Sequence, residues 1–96
     1  MRFRKKPIVI EAFQLTPSSR MSNRDWPEWL HAAWNKNSHV VGALFPSPVK
    51  DSEDLFIYTL EGVLVVNIWD WIIQGVTGEI YPCKPGIFAS TYEVVK

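Results

Sequence analysis

Two apolar runs, LFIYTL (55–60) and VLVVNI (63–68), are separated only by Glu61-Gly62. A connection that short cannot hold a crossover, so the runs must pair antiparallel in a tight hairpin, with Gly62 supplying the positive φ that such turns require. The same pattern recurs once. WIIQ (71–74) is followed by Gly75-Val76-Thr77-Gly78 and EIYP (79–82), which predicts a second hairpin. Residues 3–15 read as a strand weakened at its start by Pro7, residues 40–45 as a short strand stopped by Pro46 and Pro48, and TYEVV (91–95) as a last strand. Thr16-Pro17-Ser18-Ser19 reads as a turn and loop, and Ile87 to Ser90 as a single helical turn.

Helical spacing is strong in only one place. Trp26, Trp29, Leu30, Ala33 and Trp34 recur at i, i+3, i+4, i+7 and i+8, one apolar stripe over residues 25–36, with Asp25 and Glu28 spaced as a capping box. The expected fold is α+β, one domain over 1–96 with its strand-rich half at 54–95. It is a small, mostly antiparallel bent sheet or open barrel with the Trp-rich helix packed on it.

The chain of 96 residues carries ten Lys/Arg and ten Asp/Glu, a net charge of zero, which argues against a general nucleic-acid binder. The zero conceals an asymmetry. Residues 1–50 hold eight basic against three acidic side chains, a balance of +5, and residues 51–96 hold two against seven, a balance of −5. Arg2, Arg4, Lys5 and Lys6 form a basic arm, which reads as a solvated terminus, and Asp51, Glu53, Asp54 and Glu61 an acidic cluster. If the fold keeps them apart, one face is electronegative and can steer a basic partner. The N-terminus does not read as a signal peptide, no apolar stretch is long enough to cross a bilayer, and a cytoplasmic location is expected.

Catalytic patterns are sparse. Cys83 is the only cysteine; its neighbour Lys84 would point to the opposite strand face, so it reads as a small buried or half-buried thiol beside a proline turn. His31 and His39 lie in different elements and, with one cysteine, give no metal-ligand set, and the 51–54 cluster lacks the glycine and bidentate glutamate of a calcium loop. Asp70 and Glu79 would have to share a cleft to act as paired carboxylates; Asp70 reads instead as a cap on backbone N–H groups in the turn before WII. No catalytic residue, metal or cofactor is assigned. Trp69 and Trp71 flank Asp70 and, on a regular strand, would share a face; an exposed indole there would mark a contact surface.

The stretch TLEGVLVVNIWDWIIQGVTGEIYPCKPGIFASTYEVV, with RFRKKPIVIEAFQL and WPEWLHAAW before it, resembles a family of small tailed-phage and prophage proteins whose chains close on GDWIIxGVxGEFYPCKPDIFxxTYE. The resemblance implies a phage or prophage origin. Two positions depart from the family pattern. Trp69 stands for its glycine, which implies a backbone not at positive φ, and Gly86 stands for an aspartate that could cap the short helical turn.

The expected function is therefore non-enzymatic binding to a host bacterial protein, with inhibition of anti-phage defence (an anti-CRISPR-like role included) the most economical version. Its contact residues would be Trp69 and Trp71 with Asp51, Glu53, Asp54 and Glu61. The acidic set could mimic nucleic acid toward a basic host surface; direct nucleic-acid or membrane binding is not expected, and homo-oligomerisation stays open. The alternative is a nucleotide- or small-molecule-binding module in which Trp71, Tyr81 and Tyr92 stack a base and Lys84 meets a phosphate.

Overall fold

The structure is a computed structural model that describes residues 1–95. Both hairpins form. Strands β3 (Leu55–Thr59) and β4 (Gly62–Val66) pair antiparallel from Thr59↔Gly62 to Leu55↔Val66; the connection is Leu60-Glu61, one residue earlier than expected, and Gly62, at φ 118, is the first residue of the strand rather than part of the connection. Strands β5 (Trp71–Gln74) and β6 (Ile80–Cys83) pair from Gln74↔Ile80 to Trp71↔Cys83. Each hairpin takes one further strand. β1 (Glu11–Gln14) joins β5, and β2 (Leu44–Pro46) joins β3, giving two three-stranded antiparallel sheets in the orders β1-β5-β6 and β2-β3-β4. With three short helices this is an α+β fold; the two sheets are not joined into a closed barrel.

Several sequence expectations are corrected. The first strand covers 11–14 rather than 3–15, because its partner β5 is four residues long and turns away at Gly75; residues 3–10 have no ladder to join. Thr16 to Ser19 is not loop. It opens α1 (Pro17–Met21) through a capping box in which the Thr16 hydroxyl accepts the Ser19 N–H and the Ser19 hydroxyl accepts the Thr16 N–H. Helix α2 is Glu28–Trp34, shorter than 25–36, and Pro27 rather than Asp25 is its N-cap. The reason is steric: the residue before a proline is pushed out of helical geometry, so Trp26 cannot be a helical residue. It is buried outside the helix, its indole Nε1 donating to the Ser19 carbonyl at 2.8 Å. Pro46 lies inside β2, opposite Leu55, which an edge strand tolerates. The expected last strand is absent from 91–95: α3 (Pro85–Thr91) runs through Thr91, begun by Pro85 in its first turn. Lys84 is the N-cap, so Gly86 is helical and is not the cap.

The core lies between the sheets under α2. Leu15, Trp26, Leu30, Ala33, Leu44, Leu55, Ile57, Val66, Ile72 and Ile80 form one buried cluster, with Phe13, Trp29, Trp34 and Ile68 packed on its margin. Leu30 and Ala33 of the stripe are therefore core, Trp29 and Trp34 flank it, and Trp26, outside the helix, joins the core and meets Trp34 edge-on at 5.4 Å.

The link between the sheets is polar. Asp70, 2% exposed, precedes β5; its Oδ2 accepts the Asn67 N–H at 2.9 Å, and its carboxylate accepts Lys84 Nζ at 2.9 and 3.1 Å. Asn67 follows β4 and Lys84 follows β6, so one carboxylate ties the ends of strands from both sheets. Its backbone adds a third tie, the Leu15 N–H donating to the Asp70 carbonyl at 2.9 Å. Replacing Asp70 by alanine strands the Asn67 N–H and the Lys84 ammonium and is expected to cost about 3 kcal/mol. Lys84→Met leaves the carboxylate one N–H bond, but the ammonium is more than half exposed, so about 1–2 kcal/mol is expected. Urea unfolding of the two variants checks both the values and their order.

Candidate protein-contact surface

Asn67 to Asp70 is a closed turn. The Asp70 N–H donates to the Asn67 carbonyl at 3.0 Å while the Asn67 N–H donates to the Asp70 carboxylate, so the two ends hold each other. That closure fixes Trp69 at φ 79, the left-handed region, which a bulky side chain rarely enters. The expectation that tryptophan here excludes a positive φ is thus overturned. The turn keeps the geometry that glycine would favour, because the Trp69 N–H donates to the Leu15 carbonyl and the Trp69 carbonyl accepts Gln14 Nε2 at 2.9 Å. The side chain is 54% exposed. A rigid backbone presents a large apolar group to solvent.

Trp71 is placed differently. It begins β5, and its ring lies flat on Phe88 of α3, with centroids 4.0 Å apart and planes 5° from parallel. Phe88 in turn meets Tyr92 at 5.1 Å. Trp69 sits in a turn and Trp71 in a ladder, so the alternation that would place both indoles on one strand face does not apply.

The acidic set is also divided. Asp54 is half-buried and its Oδ1 accepts Asn67 Nδ2 at 3.0 Å, which joins it to the Asp70–Lys84 cluster. Asp51, at φ 64, and Glu53 are exposed in the loop before β3, where the Glu53 carbonyl accepts Arg20 Nε at 3.0 Å. Glu61 is exposed in the β3–β4 turn. Arg2, Arg4, Lys5 and Lys6 are exposed, and among the described residues the single salt bridge is Lys84–Asp70, so the basic arm is not paired with the acidic set.

The residues of the ligand reading come partly together. Trp71, Phe88 and Tyr92 line a groove of about 630 Å³ with Ile8, Val9 and Val94. Burial pushes the Tyr81 phenol up to about 12, helped by the neighbouring Tyr92 phenol. Of the four residues expected to form a ligand site, Tyr81 and Lys84 do not line this groove. The Lys84 ammonium is held by both Asp70 oxygens and by Asn67 Oδ1 at 2.6 Å, so it is not a free cation for a phosphate. Asn67, Gln14 and Phe88 were not singled out by the sequence. Asn67 carried a legible signal, as the one polar residue in the 63–68 run, three positions before Asp70.

Asp70 and Glu79 do not share a cleft: Asp70 adjoins the Trp71↔Cys83 end of the second hairpin and Glu79 the Gln74↔Ile80 end. A hydrogen bond from the Thr77 hydroxyl holds the Glu79 carboxyl below its ordinary value. Among the described residues no group of three or more His, Cys, Asp or Glu side chains is arranged to hold a metal ion, and no helix is long and apolar enough to cross a membrane. No family model matches this chain, and no curated protein or solved structure matches it either.

Cys83 is half-buried, and its thiol is pushed up, first by burial and then by the Asp70 charge, both of which disfavour the thiolate. Its alkylation rate is expected to be still climbing at about pH 9; an activated thiolate would reach its plateau below about pH 7.5. The strain at Trp69 has its own measurement. Trp69→Gly and Trp69→Ala both delete the indole, but only glycine relieves the left-handed backbone. Urea titration should find the glycine variant more stable by about 1 kcal/mol.

Proposed function

We propose that this chain is a small, non-enzymatic binding protein of phage or prophage origin that acts in the host bacterial cytoplasm on a host protein, as an inhibitor or modulator of a system such as anti-phage defence. The observation that carries the binding reading is Trp69, a bulky residue kept in a left-handed turn and more than half exposed. Strain of that kind persists only where the surroundings hold it, and such positions cluster at functional sites: active sites, ligand clamps and switch regions. The Trp69 backbone is already fixed by hydrogen bonds, so binding through the indole has only the side-chain torsions left to order, and tryptophan is enriched among the residues that dominate interface energetics. The exposed acidic side chains Asp51, Glu53 and Glu61 support a basic partner surface, and the resemblance to phage proteins in the TLEG and YPCKP segments supports the origin.

The small-molecule reading is favoured by one observation, the Trp71–Phe88–Tyr92 groove, and it calls for an apolar ligand because Lys84 is engaged elsewhere. Trp69→Ala, with folding checked by circular dichroism, separates the readings. In infected cells producing the protein, it should remove the protective effect on the phage, matching a loss of about 2 kcal/mol of partner binding. Protection unchanged by Trp69→Ala, together with a ligand-dependent rise in thermal stability, would sink the protein-contact reading.

A further inference from the structure

A recess at the end of α1 shares no residue with the Trp71–Phe88–Tyr92 groove. Its volume is about 380 Å³, the size of a small-ligand cleft, and it is lined by Arg20, Met21, Ser22, Asn23, Trp26 and Trp34. Local rules of the chain build it. Ser22 ends α1 in an extended backbone, its N–H donating to the Ser18 carbonyl at 3.1 Å, and Pro27 holds Trp26 out of α2. The Trp26 indole reaches back to the Ser19 carbonyl at 2.8 Å, and Trp34 meets it edge-on.

The side chains of this recess supply hydrogen-bond donors. Arg20 is half-buried, and its Nε donates to the Glu53 carbonyl at 3.0 Å. That bond holds the guanidinium and leaves its two terminal NH₂ groups with no acceptor among the described residues. The Ser22 hydroxyl accepts the Arg24 N–H at 3.4 Å, so its own proton can be donated, and the Asn23 side-chain amide brings two further N–H groups. Two backbone acceptors at this end of α1 are already spent, the Ser18 carbonyl on the Ser22 N–H and the Ser19 carbonyl on the Trp26 indole. The charges agree with the donors. Arg20 is the one charged residue of the lining; Glu53 meets it through a backbone carbonyl, and Arg24 and Asp25, next along the chain, offset each other.

We propose that this recess binds a small aromatic carboxylate. Two parallel N–H donors of a guanidinium match the two oxygens of a carboxylate in a charge-assisted, bidentate contact. The Ser22 hydroxyl and the Asn23 amide add neutral donors to the same lining. The ring packs on Trp26 and Trp34, and because the Trp26 nitrogen is spent on Ser19, that indole offers only apolar surface. Charge decides between a carboxylate and a phosphate. One cation lines the recess, which balances a single negative charge and falls short of the roughly −1.5 to −2 of a phosphate monoester.

Titration of the intact chain with benzoate, followed by two-dimensional NMR, tests the proposal. Benzoate should move the Arg20 Nε–H and Asn23 side-chain amide signals saturably. Benzamide, which keeps the ring and loses the charge, and acetate, which keeps the charge and loses the ring, should each bind about tenfold more weakly. Phenyl phosphate should bind no more tightly than benzoate. Arg20→Lys keeps the charge and loses the fork, and should weaken benzoate about tenfold with an unchanged circular dichroism spectrum. The comparison among ligands needs only the wild type, so it decides the matter even where the variant does not fold. Benzamide or acetate binding as tightly as benzoate, phenyl phosphate binding more tightly, or no saturable shift at Arg20 and Asn23 would each overturn the proposal, as would a folded Arg20→Lys with unchanged affinity. No readout depends on Trp69 or on a host target, so the result bears on this recess alone.

Discussion

A buried carboxylate organises this protein. Asp70 is nearly inaccessible to water, and an uncompensated charge in that position would be strongly destabilising. Its compensation comes from Asn67 at the end of β4 and Lys84 at the end of β6, so the structure cannot satisfy the charge without bringing the two sheets together there. The Asn67 side chain then reaches Asp54 ahead of β3, which extends the cluster to the start of the other hairpin. A chain of this size buries only about 60–65% of its unfolded surface, so a small apolar core gains definition from a polar joint that has one satisfied geometry.

The same joint sets the state of Trp69. Because residues 67 and 70 are bonded reciprocally, the two residues between them must turn tightly, and Trp69 takes the left-handed conformation. Local preference opposes that conformation by roughly 1–2 kcal/mol, and the bonds to Leu15 and Gln14 offset it. Sequence reasoning from a glycine-to-tryptophan difference weighs the side chain's preference alone. The outcome is decided by the closure around it.

What was legible in the sequence follows the range of the interaction that decides each feature. The two hairpins, the apolar stripe Trp26 to Trp34 and the role of Asp70 in its own turn depend on residues a few positions apart, and they read directly. The length of β1 depends on how far β5 extends, sixty residues away in the chain, and TYEVV forms no strand because Thr91 belongs to α3 and Tyr92, its C-cap, packs on Phe88 beside Trp71. The capping signal was read at the wrong place for a different reason. Asp25 and Glu28 have the right spacing, but Pro27 expels Trp26 from the helix, so steric exclusion outweighs the cap. Of the contact residues, Trp69 and the loop acids are surface features that composition and order can nominate, whereas the engagement of Asp54 and Lys84 depends on tertiary contacts that spacing does not encode.

The distribution of apolar side chains also explains why this chain has surface to offer. Both faces of the β2-β3-β4 sheet are apolar, yet there is one helical stripe, and α2 spends it on the inner face. Helices α1 and α3 are a turn or two long and bury no residue completely, and α3 is committed to Trp71. On the outer face Phe45, Phe56 and Tyr58 are half-buried, and Val63 and Val65 are exposed. A larger domain would add a layer. At 96 residues the ratio of surface to volume is high, and part of the apolar sheet stays in contact with water.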